Sequence, residues 1–192
     1  MASIITATTT SGLTQSADNS GVLQLASGTG NLVTVPSVTG TAMVSGNMPA
    51  FRARPATSSQ SISNNTFTKV TLGTEDFDTN NCFASSRFTP NVAGYYQING
   101  SVYCTNSSGN MTQARCNIYK NGSDEVYGGF YLLNATGSNN TDSIATVSGL
   151  VYLNGTTDYV ELYGFIGGSS VSPAFAGSAN YTSFSGCLVR AA

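Results

Sequence analysis

The sequence predicts an all-β fold, and three observations support that prediction. Hydrophobic residues make up 40% of the 192 residues and charged residues only 8%, a balance that still allows a globular core. Gly, Ser, Thr and Asn fill the remainder, and they favour strands joined by turns over helices. Several segments alternate bulky with small or polar residues, the period of half-buried strands, whereas no window of a dozen residues has a helical apolar stripe.

Two widely separated segments show this alternation most clearly. Residues 88–98 include Pro90 and Gly94, whose fixed and permissive φ angles shape a turn at the start of a strand. Residues 183–189 read Ser-Phe-Ser-Gly-Cys-Leu-Val. Both segments are predicted to be strands with one face buried.

Composition divides the chain near residue 48. Residues 1–48 contain no Lys, Arg, Phe, Tyr or Cys and a single charged residue, Asp18. Residues 22–25 and 32–35 alternate as short strands would. Because this segment holds too little apolar area to fold alone against its conformational entropy, we expect it to be extended, partly β and in need of a partner surface or further copies. A disordered linker is the alternative. Residues 49–192 form the predicted head.

Further strands are expected where alternation recurs in the head. The run 114–120 precedes Asn121-Gly122, a strong hairpin signal because both residues accept positive φ. Residues 149–152 form another predicted strand. Asn99-Gly100 predicts a bulge or an early turn in the strand that begins near Gly94.

The charge distribution disfavours two classes of function. Seven Lys and Arg residues are scattered and the net charge is −2, whereas nucleic-acid binding needs clustered cations that displace counterions from phosphates. Membrane insertion is not expected, since basic amphipathic anchors are absent and the longest apolar run, residues 149–153, is too short to span a bilayer. The first residues lack a charged n-region and an apolar h-region, so we expect no secretory signal.

The four cysteines, Cys82, Cys104, Cys116 and Cys187, have no metal-ligand spacing. We expect them to be reduced and buried, since free cysteine is among the most buried residue types. A chain without a secretory signal also matures in a reducing compartment. Disulfide formation is the alternative.

Catalytic groups are sparse in the sequence. Histidine is absent, which excludes Ser-His-Asp and Cys-His arrangements and histidine zinc sites. Acids cluster at Glu75, Asp76 and Asp78 and at Asp124 and Glu125. Neighbouring acids in turn-like sequence do not predict the cleft that paired catalytic carboxylates need. We therefore expect no enzyme, cofactor or metal; a calcium-binding loop at the first cluster is the alternative.

Aromatic residues favour binding surfaces. One face of the predicted strand over 159–166 carries Tyr159, Glu161, Tyr163 and Phe165. The opposite face is aliphatic and suits the core, so the aromatic face suits a subunit interface. The alternative is that these are ordinary core or exposed residues.

Four other aromatic residues could stack on sugars: Tyr127, Phe130, Tyr131 and Tyr181. Tyrosine combines apolar area with a polar tip, which suits such recognition. Packing is its more common role, so ligand-binding residues are not assigned.

The two alternating segments, the opening run 49–53 and the Phe184-Ser185-Gly186 motif resemble the globular head of complement first-component q subunits. The same features are similar to relatives in the tumour necrosis factor superfamily, and the family has an Asn-Gly pair where Asn121-Gly122 stands here. The resemblance covers nearly all of the head and implies a two-sheet antiparallel jelly-roll sandwich that works as a trimer and binds other molecules. Residues 164–180 match nothing in it.

The resemblance also implies where subunits meet. In that family the outer face of the inner sheet forms the trimer contact, and residues 96 and 98 would point into the core. The interface candidates carried over are Tyr95, Gln97, Phe184 and Leu188.

Residues 1–48 resemble the amino-terminal segments of bacteriophage tail-fibre and virion-surface proteins, on the runs 8–13 and 33–41. The resemblance implies a homotrimeric, non-enzymatic virion structural protein, assembled in the host cytoplasm and displayed as a fibre, knob or capsid decoration. Its partners would be its own copies, other virion proteins through residues 1–48, and host surface glycans. The alternative is a soluble complement-head-like module of a cell that binds a glycan or a protein, and a fibre-borne depolymerase is a third hypothesis.

Overall fold

The computed structural model describes residues 23–26, 32–35, 48–132, 141–178 and 180–192. None of these residues belongs to a helix long and apolar enough to cross a membrane. The regular elements are strands: β1 (Leu23–Ala26), β2 (Leu32–Val35), β3 (Ala50–Arg54), β4 (Gln60–Ser61), β5 (Thr68–Lys69), β6 (Thr74–Asp78), β7 (Phe83–Ala84), β8 (Arg87–Phe88), β9 (Gly94–Asn106), β10 (Asn110–Lys120), β11 (Ser123–Tyr127), β12 (Tyr131–Leu132), β13 (Asp142–Leu153), β14 (Val160–Ser169), β15 (Pro173–Phe175) and β16 (Ser183–Ala191).

The chain divides into two compact units, residues 1–40 and 41–192, whereas composition placed the change near residue 48. In the first unit β1 and β2 pair antiparallel, with Leu23 opposite Val35, so the strands predicted there are confirmed. The rest of the expected attachment segment, including residues 8–13, lies outside the described residues.

The second unit is a sandwich of two antiparallel sheets. In the first, called the β9 sheet, the strand order is β4-β15-β9-β16-β3-β6, and β13 pairs with β9 from Thr105 to Gly94. In the second, called the β10 sheet, the order is β11-β10-β14-β8-β7, with β5 against β14 and β12 against β10. Buried side chains from both sheets form a single core. The predicted all-β, two-sheet architecture is confirmed.

Phenylalanine rings connect the two sheets inside this core. Phe51 of β3 stacks on Phe88 of β8 with ring centroids 4.2 Å apart and on Phe83 of β7 at 5.1 Å. Phe184 of β16 meets Phe51 edge-on at 5.1 Å. Each buried ring of this size contributes about 1.5–3 kcal/mol, and because β3 and β16 lie in one sheet and β7 and β8 in the other, these contacts hold the layers together.

The Asn121-Gly122 pair forms the predicted hairpin. Both residues have positive φ, 52° and 83°, and β10 and β11 pair antiparallel on either side of them. Asn121 also accepts a hydrogen bond from the Tyr159 N–H at 3.0 Å. The turn is therefore tied to the start of β14.

The bulge or early turn predicted at Asn99-Gly100 is wrong, because β9 runs without a break from Gly94 to Asn106. Gly100 occupies a core-facing position against β14. A Cβ at this residue would lie 3.0 Å from Cγ1 of Val147 and closer still to the side chain of Leu162. The glycine is needed for close packing between strands rather than for a turn.

The four cysteines are free, as predicted. Cys82, Cys104 and Cys116 are buried, and burial raises the pKa of the Cys104 thiol to about 12. Cys187 is exposed, so the prediction of burial is wrong for this residue. It occupies an outward position of β16, between the buried Gly186 and Leu188.

We expect Gly100→Ala to lower the free energy of unfolding by about 1–3 kcal/mol, because an added methyl group overpacks the contact with Leu162. Gly73→Ala is the matched control, since a Cβ there meets Cβ of Ala56 at an ordinary 3.5 Å; its effect should stay within about 0.5 kcal/mol. Urea unfolding measures both variants. Equal stability of the two would contradict the role assigned to Gly100.

Candidate functional site

The outward face of the β9 sheet is built from alternate residues of its central strands. Burial alternates along β9, and the pairing register sets Tyr95 opposite Tyr152 and Gln97 opposite Leu150 of β13. On its other side Gln97 lies opposite Cys187 of β16. We call the outward residues of β13, β9 and β16 the β9 face.

One end of the β9 face is apolar and exposed. The exposed fraction is 57% for Leu150, 56% for Val189, 43% for Tyr95 and 41% for Tyr152. The rings of Tyr95 and Tyr152 are in contact, with centroids 5.5 Å apart. Contiguous apolar patches on soluble proteins commonly mark interaction sites, so this end of the face is the leading candidate for a protein contact.

The centre of the β9 face is a small network of uncharged polar groups. Gln97 Nε2 donates to Ser148 Oγ at 2.9 Å, and Ser148 Oγ donates to Asn99 Oδ1 at 2.9 Å. Gln97 Nε2 also lies 3.3 Å from Asn99 Oδ1. These hydrogen bonds hold the three side chains in place and satisfy the Ser148 hydroxyl.

The structure separates the four interface candidates into two pairs. Tyr95 and Gln97 lie on the β9 face, as expected, with residues 96 and 98 buried behind them. The placement of Phe184 and Leu188 beside them is wrong: both are buried in the core, 0% and 4% exposed. Alternation along β16 turns Phe184, Gly186 and Leu188 inward and leaves Ser183, Ser185 and Cys187 on the outside.

Sequence reasoning missed the other half of the apolar end. Leu150 and Tyr152 face outward because β13 pairs with β9 in a register that no local pattern reveals. The alternation in residues 149–152 indicates a strand with two different faces. It did not show which face is buried.

The aromatic strand predicted as a subunit interface lies in the opposite sheet. Tyr163 and Phe165 belong to β14, at the centre of the β10 sheet, so their outward surface and the β9 face lie on opposite sides of the sandwich. The aliphatic side of the strand is buried as predicted, at Val160, Leu162 and Ile166. The two surfaces therefore cannot form one contact.

Half-buried rings cover the outward side of the β10 sheet. Tyr119 stacks on Tyr163 with centroids 3.8 Å apart, and Phe67 contacts Phe165 at 5.0 Å and Tyr119 at 6.1 Å. We call these four residues the ring band. Burial, assisted by the nearby Asp124 carboxylate, raises the pKa of the Tyr119 hydroxyl to about 12, so this hydroxyl stays protonated and able to donate.

A buried carboxylate lies at one end of the ring band. Oε1 of Glu161 accepts from Nζ of Lys69 at 2.7 Å and from Nε of Arg87 at 2.9 Å. The guanidinium of Arg87 lies over the ring of Tyr159, 3.7 Å from its centroid. The side chain of Glu161 is only 4% exposed, which is tolerated because the charge is paired.

At the other end of the ring band, Arg115 lies between two rings. Its Cζ is 4.0 Å from the centroid of Phe130 and 5.2 Å from that of Phe165. The guanidinium donates one hydrogen bond, to Oε1 of Gln113 at 3.1 Å, and its Nε is buried with no partner among the described residues. Phe130, one of the exposed aromatics noted in the sequence, thus covers a cation.

The acidic residues serve structural roles in the described ranges. Asp76, expected in a turn, lies in β6 and pairs with Arg54 at 2.6 Å and with Arg52 at 3.6 Å. Asp78 accepts from the Phe83 N–H at 2.7 Å. Across the described residues, no group of three or more His, Cys, Asp or Glu is arranged to hold a metal ion.

An apolar cleft of about 280 Å³ opens beside β5 and β15. Val70 and Phe175 lie at its base, with Pro55 and Gln60 at its margins. No titratable side chain lines this cleft, so it offers no acid or base that could activate the hydroxyls of Ser58 and Ser59 in its lining.

No protein-family model matches the chain, and no curated protein matches it either. Solved structures do match. The crystal structure of murine APRIL at pH 8.5 is 11% identical, with a TM-score of 0.50 over 74% of this chain and 99% of that one. Eiger TNF from S. frugiperda is 9% identical, with a TM-score of 0.56 over 76% of this chain and 95% of that one. At such identities the likeness shows the fold alone: the head is a TNF-like jelly roll, as predicted.

We expect Glu161→Gln to lower the free energy of unfolding by about 1–3 kcal/mol, because Lys69 and Arg87 lose their shared counter-charge beside a buried position. Asp76→Asn is the control, since it removes a carboxylate from a more exposed arginine pair and should cost about 0–1 kcal/mol. Urea unfolding at pH 7 compares them. A larger loss of unfolding free energy in Asp76→Asn than in Glu161→Gln would contradict the stabilising role assigned to Glu161.

Proposed function

We propose that the protein is a non-enzymatic, homotrimeric structural protein of a bacteriophage virion. It is displayed on the particle as a fibre, knob or capsid decoration and contacts host surface glycans. The exposed apolar end of the β9 face is the observation that carries the self-association. The virion assignment is supported by the resemblance of residues 1–48 to virion attachment segments.

A second copy of the chain suits the β9 face for two reasons. Burial of Leu150, Val189 and the paired tyrosines removes apolar surface from water, which favours association by roughly 25 cal/mol per Å². In the neighbouring Gln97 network the Ser148 hydroxyl is already satisfied, which lowers the desolvation cost of covering that group. Interfaces between subunits commonly combine an apolar centre with satisfied polar groups.

The number of copies comes from the family resemblance, which implies three heads around one axis. A ring that closes after three copies has no free interface left, so association stops there rather than growing into filaments. Residues 1–48 would dock on the particle and leave the heads outward. Three heads acting together would also offset weak single contacts with glycans.

The trimer is tested by placing a charge at the apolar end of the β9 face. We expect Tyr95→Lys and Leu150→Lys each to convert the trimer to monomers, because an unpaired ammonium would be buried in the contact. Light scattering after gel filtration gives the native mass. Tyr127→Lys, at a residue 74% exposed on β11 of the other sheet, is the control that should stay trimeric.

The thiol of Cys187 gives a second readout in the same variants. It shares the β9 face with Gln97, so a thiol reagent should label it slowly in the trimer and quickly in the monomeric variants. Cys104 and Cys116 should stay unlabelled in both, since burial raises their thiol pKa and blocks access. A monomeric wild-type chain with rapidly labelled Cys187 would contradict self-association through this face.

The virion role is tested on particles. We expect the protein to co-sediment with intact phage particles in a density gradient and antibodies against the head to label their surface. Protein found free in the lysate and absent from washed particles would contradict the virion assignment. It would favour a soluble binding module of a cell.

A further inference from the structure

We infer that Arg115 anchors a binding site for a carboxylate-bearing polysaccharide on the outward side of the β10 sheet. The guanidinium receives a carboxylate of the polymer, and the ring band supports the adjoining sugar rings. This inference names the glycan class for the adhesive role proposed above and rests on that role. It does not depend on the trimer.

Arg115 and Arg190 have no Asp or Glu partner among the described residues. Of the seven Lys and Arg residues, five form ion pairs with Asp or Glu. Arg190 is exposed on β16, whereas Arg115 is half-buried between two rings. Residues 133–140, which follow β12, contain no acid. Since partly buried charges are ordinarily paired, the described part of the chain leaves this guanidinium in need of an anion.

The stacking of Arg115 prepares it for a carboxylate. The ring centroids of Phe130 and Phe165 lie 4.0 and 5.2 Å from Cζ of Arg115. The hydrogen bond to Gln113 fixes one edge of the planar guanidinium. A planar guanidinium held in this way matches the two oxygens of a carboxylate. Because the side chain is already ordered, little rotamer entropy is lost when the anion binds.

The ring band continues directly from this anion site. Phe165 contacts both Arg115 and Phe67, and Tyr119 and Tyr163 follow along the sheet. Rings offer apolar area to the C–H faces of sugars, and the tyrosine hydroxyls can exchange hydrogen bonds with sugar hydroxyls. An anion bound at Arg115 would therefore have its sugar ring placed over aromatic side chains.

The charges around the ring band favour a ligand whose anions are widely spaced. Lys69 and Arg87 lie at the far end with Glu161. Asp124 lies at the same end, because it pairs with Tyr119, which the register sets opposite Glu161. Two carboxylates there balance the two cations, so among the described residues the unbalanced positive charge lies at the Arg115 end, which suits a polymer with widely spaced anions. A single-stranded nucleic acid carries a phosphate at every nucleotide and needs a continuous row of cations, which this surface lacks.

The test compares two polymers that share a backbone, carboxymethyl-dextran and unmodified dextran, using the full-length protein and titration calorimetry. We expect binding to carboxymethyl-dextran and none to dextran. Arg115→Gln should weaken the affinity at least about tenfold, since a hydrogen-bonded charge is lost. Arg115→Lys should weaken it by a smaller factor, because the charge remains without the planar fork. Arg52→Gln, the control for net charge on the other sheet, should match the wild type.

Phe130→Leu provides a second variant in case Arg115→Gln fails to fold. Phe130 is exposed, so its loss should leave the head folded while weakening the polymer through the lost cation–π contact. Equal losses in the Arg52 and Arg115 variants, or tighter binding of a thymidine oligonucleotide than of carboxymethyl-dextran, would overturn the inference.

The native mass, measured on the same samples, separates this inference from the trimer. A trimer that binds neither polymer would overturn the polysaccharide site and leave self-association standing. A monomer that binds carboxymethyl-dextran through Arg115 would support the polysaccharide site and contradict only the proposed trimer.

Discussion

The stacking of Phe51 on Phe88 is the contact on which the rest of the head depends. It joins β3 of one sheet to β8 of the other at 4.2 Å, and both rings are completely or almost completely buried. Protein interiors are packed so densely that one added methyl group disturbs its neighbours. Gly100 of β9 is an example, because a Cβ there would collide with Leu162 of β14. With the spacing of the layers fixed, strand alternation decides which side chains remain outside.

The two outward surfaces of the sandwich differ in chemistry. The β9 face combines apolar residues such as Leu150 with an uncharged amide and hydroxyl network. The β10 sheet carries stacked rings flanked by cations, and Arg115 among them has no acid partner in the described ranges. The exposed apolar end suits contact with a copy of the same chain, while rings and cations suit a hydrated anionic ligand. The proposed sites of assembly and of ligand recognition thus lie on separate layers of the fold.

Local pattern in the sequence predicted much of the fold and only part of the site. The strand period and the Asn121-Gly122 turn are local properties, and both appear as predicted. The side of β16 that faces inward depends on pairing with strands far along the chain, so Phe184 was assigned to the wrong face. The ion pairs of Glu161 were equally hidden, since their partners come from β5 and β8, 92 and 74 residues away. Long-range register, rather than residue type, limited the prediction.

The position of β16 between β9 and β3 also governs when the head can fold during synthesis. β3 is among the first strands of the head to leave the ribosome, and one of its two partners, β6, follows soon after. The other partner, β16, is made some 130 residues later. Until then β3 and β9 have unpaired edges, which can attract strands from other nascent chains. Closure of the β9 sheet therefore depends on a late pairing with the slow kinetics of non-local contacts, and neighbouring nascent chains that still lack β16 can exchange this strand.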